Sequence, residues 1–147
     1  MFPKAILGLA ALTVALVNGL AIADELPYKS GPVTEVDSIK VKEGKFLDYW
    51  AYLSGPWRKE MEEAKKQGIV VSYRILSAPA RTPQDPDIFL VVTYPNMATL
   101  DVLDEKMAVI EKSLWGSLKE SNRSSADRDA IRTILGTQFL RELQFRN

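Results

Sequence analysis

The chain has 147 residues, 46% of them hydrophobic, with 19 Lys+Arg against 19 Asp+Glu and neither cysteine nor histidine. Without imidazole or thiolate it can build no Ser-His-Asp or Cys-His triad, no His- or Cys-ligated metal or haem, and no disulfide. The even charge balance argues against nucleic acid and anionic membrane as partners, since both select basic surfaces.

Residues 1–23 begin with the basic Lys4, run through an apolar stretch from Ala5 to Val17, and close on Asn18-Gly19-Leu20 and the small-x-small site Ala21-Ile22-Ala23. This is the layout of a secretory signal peptide cleaved before Asp24. A membrane anchor is the competing reading, because Ala5 to Ala23 approaches the length of a membrane-spanning helix. The break at Asn18 and Gly19, with Ala-x-Ala after it, favours cleavage. The sequence therefore predicts an exported protein, periplasmic or extracellular, with no membrane association after cleavage and one domain over residues 24–147. Lacking cysteine, that domain must be stabilised by packing, within the chain or with a second subunit.

Residues 24–32 (DELPYKSGP) read as an extended lead-in to a first strand over 33–42, where Val36, Ile39 and Val41 are the sparse apolar positions. Glu43-Gly44-Lys45 makes a tight connection. The first helix then carries Phe46, Trp50, Leu53, Trp57, Met61 and Ala64 as one apolar stripe. Gly55-Pro56 interrupts it, which predicts a kink near Tyr52 with Ser54 capping the second half. Lys65, Lys66 and Gly68 form a cationic last turn and a glycine stop. Residues 69–76 (IVVSYRIL) and 88–94 (IFLVVTY) are strong strands with apolar residues on both faces, separated by the proline-rich loop 78–87.

The second long helix places Leu100, Leu103, Met107, Ile110, Leu114 and Leu118 on one stripe, with Asn96 or Thr99 as cap. Residues 120–125 (ESNRSS) break it, Ser124 and Asp127 resemble a capping box, and a short helix is expected to end at Gly136. Residues 137–145 (TQFLRELQF) alternate as the last strand, with Phe139, Arg141, Leu143 and Phe145 on one face. The order β-α-β-β-α-(α)-β gives two split β-α-β units. It predicts a ferredoxin-like α+β domain with a four-stranded antiparallel sheet and its helices on one face. The other face then needs a cover, which a second copy would provide.

The strand-Gly-helix opening KVKEGKFLDYW, the helix end KKQG leading into IVVSYRIL, and the junction VVTYPNMATL together resemble the dimeric α/β-barrel superfamily. Within it the chain is most similar to the NIPSNAP-type and antibiotic-monooxygenase-like branches. The resemblance spans residues 33–145 and implies a homodimer of ferredoxin-like domains more strongly than any activity. The haem-degrading branch uses a His ligand that this chain lacks.

Nucleotide-binding glycine motifs and the S-x-x-K nucleophile pattern are absent. Asp85, Asp87, Asp101 and Asp104 lack calcium-loop spacing and read as a solvated acidic patch, so no metal and no cofactor is expected. The distinctive feature is aromatic density: Tyr49, Trp50, Tyr52 and Trp57 on the first helix, Tyr73 and Tyr94 on strands, and Trp115 on the second helix. They could line a cleft for a flat apolar ligand, oriented by tyrosine hydroxyls, Arg74 or Asn96. Trp50 and Trp57 lie on the apolar stripe and read as core before pocket wall, whereas Tyr49 and Tyr52 flank it. Arg141 calls for a carboxylate partner, Asp37 or Glu35, in a structural ion pair. Asn122-Arg123-Ser124 fits a glycosylation sequon.

Two functions follow. The first is an exported dimeric domain that binds a small apolar ligand or an envelope partner. The alternative is a cofactor-free monooxygenase or isomerase acting on an aromatic or apolar small molecule. An open aromatic groove or a filled core fits the first, and a closed pocket holding a polar group of perturbed pKa fits the second.

Overall fold

The computed structural model describes residues 26–117, 119–120 and 127–146. The expected leader, Leu118, Ser124 and the Asn122 sequon lie outside them. In chain order the elements are β1 (Tyr28–Val41), α1 (Phe46–Tyr52), a π-helical turn (Leu53–Trp57), α2 (Arg58–Lys66), β2 (Ser72–Ser77), β3 (Ile88–Tyr94), α3 (Ala98–Asp101), α4 (Leu103–Trp115) and β4 (Arg132–Phe145). The sheet order is β2-β3-β1-β4, with every neighbouring pair antiparallel. Each helical connection skips over one strand, so the two split units interleave, as the ferredoxin-like α+β reading requires.

Register fixes the faces. Val33, Glu35, Asp37 and Ile39 of β1 oppose Tyr94, Val92, Leu90 and Ile88 of β3, and Val92 and Leu90 in turn oppose Tyr73 and Ile75 of β2. This face meets the helices: Ile39, Ile88, Leu90, Val92 and Tyr94 share one core cluster with Tyr49, Leu53, Trp57, Met61, Ala64 and Ile110. The opposite face carries Val36, Phe89, Val91, Leu76 and Leu140 among Thr34, Ser38, Arg74 and Gln138. None of these residues belongs to the helix-side core.

The expected kink is instead a change of helix type. Pro56 has no amide to donate, and the chain responds by widening one turn to π form and continuing helical to Lys66. Ser54 does not cap a second helix, because its Oγ donates to the Trp50 carbonyl at 2.8 Å. A wider turn rotates less per residue, so the buried line becomes Tyr49, Leu53, Trp57, Met61 and Ala64, while Phe46 and Trp50 face outward at 51% and 45% exposure. Gly68 ends the helix at φ 70°, where a side chain would be strained.

Two strands are longer than the sequence predicts. β1 begins at Tyr28, inside the expected lead-in, and β4 begins at Arg132, where a short helix running to Leu135 was expected. Between Ser38/Gly136 and Ile39/Ile134 the β1–β4 register shifts, so Leu135 is an extra residue on β4. Among the described residues the third helical piece covers 127–129 and ends there, before Arg132. The expected second long helix is broken at Val102, so Asn96 Oδ1, accepting the Thr99 amide at 3.1 Å, serves the short α3 and does not cap α4.

Candidate functional site

The π turn and β2 enclose an aromatic recess. Trp50, Leu53, Ser54, Trp57, Arg58, Tyr73 and Ile75 line a hollow of about 300 Å³ that opens to solvent. Leu53 and Trp57, on the π turn, make its inner wall, while Trp50 stands at its rim. The Trp57 and Tyr73 rings meet edge to face at 5.3 Å and 90°, the geometry that ring quadrupoles favour. The Tyr73 hydroxyl donates to Glu62, and Arg58 sits beside it. The recess therefore offers flat apolar walls with a cation and a phenol at the edge, a combination suited to an aromatic or apolar molecule with one polar end.

The predicted site residues do not converge on this one place. Trp57 and Tyr73 line the recess, and the sequence reading missed Ser54 and Arg58. Arg74 alternates to the opposite sheet face across from Val91 and is exposed, so it cannot orient a ligand there. Asn96 is occupied as a helix cap. Trp115 donates its Nε1 hydrogen to Glu60 at 2.7 Å, joining α4 to α2.

Tyr94 is buried at the end of β3 and donates to Glu35 at 2.6 Å. Burial pushes the Glu35 carboxyl above its ordinary 4.5, against the lowering effect of the Tyr94 hydrogen bond. Burial also raises the Tyr94 phenol, so it stays a neutral donor. The expected Arg141–Asp37 ion pair does not form. Asp37 opposes Thr137 and accepts its hydroxyl, whereas Arg141 lies four residues further along β4, opposite Val33, and is exposed.

A second polar centre lies around Tyr49 and Tyr52 of α1. Tyr49 is fully buried, and its ring stacks on Tyr52 with centroids 6.0 Å apart. The Arg132 guanidinium carbon is 5.9 Å from the Tyr49 centroid, and that of Arg128 is 4.5 Å from the Tyr52 centroid. Burial pushes both phenols up to about 12, and the arginines pull the other way. Neither arginine was foreseen. The only sequence signal is a matched spacing, tyrosines three apart and arginines four apart.

Among the described residues no cluster of metal-ligating side chains occurs and no helix is long and apolar enough to cross a membrane. Comparison of the chain with protein-family models, curated proteins and solved structures gives no match.

Proposed function

We propose that the protein is an exported ferredoxin-like domain that binds a small, flat apolar ligand in the recess formed by Trp50, Trp57 and Tyr73. The carrying observation is the edge-to-face Trp57–Tyr73 pair forming the wall of an open hollow, with Trp50 exposed at its rim. An open aromatic groove fits the binding reading. The functional unit in this reading is a homodimer of the NIPSNAP-type or antibiotic-monooxygenase-like kind, in which the second copy covers the helix-free face. The half-exposed Leu76 and Leu140 on that face support it.

Native mass spectrometry of the protein purified without added ligand tests this reading. A retained small molecule that is lost in Trp50→Ala supports it. A protein that carries nothing, and whose tryptophan fluorescence is unchanged by an added panel of aromatic compounds, overturns it.

One observation favours catalysis. Glu35, whose carboxyl burial raises and which accepts the Tyr94 hydroxyl, is the kind of group that could move a proton in a cofactor-free monooxygenase or isomerase. Turnover of an aromatic substrate that Glu35→Gln abolishes, with binding intact, would establish it.

A further inference from the structure

We propose that Tyr49 and Arg132 form a binding site for an oxyanion group, a carboxylate or a phosphate, separate from the aromatic recess. The Tyr49 hydroxyl and two guanidinium nitrogens of Arg132, Nε and Nη1, are buried and have no hydrogen-bond partner. Buried donors are almost always met, because an unmet one loses its water and gains nothing in return. Here a hydroxyl and a permanently charged guanidinium are left unmet in the same neighbourhood. Of the charges around the Tyr49 hydroxyl, that of Arg132 acts on it most strongly.

Three carboxylates of this part of the fold each give an oxygen to another donor. Glu35 accepts from Tyr94, Asp37 from Thr137 and Glu60 from Trp115. No ion pair among the described residues includes Arg132. An oxygen brought by a ligand would complete the set, and a negatively charged one gains most from a guanidinium. The stacked Tyr49 and Tyr52 rings provide an apolar wall for whatever carries that oxygen. None of Tyr49, Tyr52 and Arg132 lines the aromatic recess, so this site and the recess stand or fall separately.

The test follows thermal unfolding while sodium acetate, which has no ring for the aromatic recess, or inorganic phosphate is titrated, with ionic strength held constant by sodium chloride. A ligand that binds only the folded state raises the melting temperature and saturates. The expected result is a saturating rise with one of the two anions, which also separates carboxylate from phosphate chemistry. Tyr49→Phe and Arg132→Lys should each weaken the response about tenfold or more, as loss of a charge-assisted contact does. Both variants are mild, the first removing an unpartnered hydroxyl and the second keeping the charge. Trp50→Ala should respond as the native protein does. The proposal is overturned if neither anion acts beyond chloride, or if the Tyr49 and Arg132 variants respond like the native protein.

Discussion

The guanidinium of Arg128 stands 4.5 Å from the centre of the Tyr52 ring, one helical turn along α1 from where Arg132 meets Tyr49. Two tyrosines on a helix are thereby matched to two arginines, Arg128 just before β4 and Arg132 at its first position. The contact ties α1 to the edge of the sheet through ring faces and cations.

Alkaline titration reports on this cluster. The folded pKa of about 12 for Tyr49 and Tyr52 lies above the ordinary 10. The stability linked to these phenols is therefore fully present below pH 10 and lost as pH rises through about 12. Phenolate absorbance should show two tyrosines that ionise only near that point, together with unfolding. Arg128→Ala should move Tyr52 higher still, because the guanidinium favours its phenolate.

Trp57 is 7% exposed and packs on Tyr73. Trp57→Ala is expected to cost about 3–5 kcal/mol in urea unfolding, the range for a large core aromatic. A loss below about 1 kcal/mol would mean that the π turn closes over the gap and that Trp57 is wall alone.

Glu35 has the opposite sign from a salt-bridged carboxylate. Its folded pKa is raised above 4.5 by burial, so its contribution is fully present below about that pH and is lost as pH rises through the folded value. Glu35→Gln mimics the protonated form and keeps an acceptor for Tyr94. The variant should be more stable than the native protein at pH 7, with the difference vanishing below pH 4.5. Paired urea titrations across that range measure it.

The element order and the sheet were legible because local patterns encode them. Ile88–Tyr94 is apolar on both faces, and Gly68 marks a helix end. What escaped notice depends on single-residue insertions and distant pairing. The π turn shifts the buried line from Trp50 to Tyr49, and a reading at constant helical pitch cannot see that. The extra residue Leu135 reverses the alternation of β4, which hid Ile134 and Arg132 from a period-two search that began at Thr137. The partner of Asp37 is set by a β1–β4 register with no local signal, so Arg141 was a natural but misplaced choice. The recess was legible in its aromatic members alone, since Arg58 joins it only through the packing of the helix on β2.

Leu140 is 53% exposed on the helix-free face, opposite Thr34. If two copies join by this face, Leu140→Glu should convert a dimer into a monomer of unchanged secondary structure, as read by light scattering and circular dichroism. A native protein that is already monomeric at micromolar concentration would remove the basis for a paired sheet.

The inner strand β1 takes its outer neighbour from far downstream, Asp37 bonding Thr137 across 100 positions of chain. During synthesis β1 and β3 can pair early, but one whole edge of β1 stays bare until β4 leaves the ribosome. Closing so long a loop is entropically costly, and sheets built from distant strands form slowly. The nascent chain thus passes through a half-assembled stage with an open strand edge, when a holding chaperone would matter most and a premature stop within β4 would do most harm.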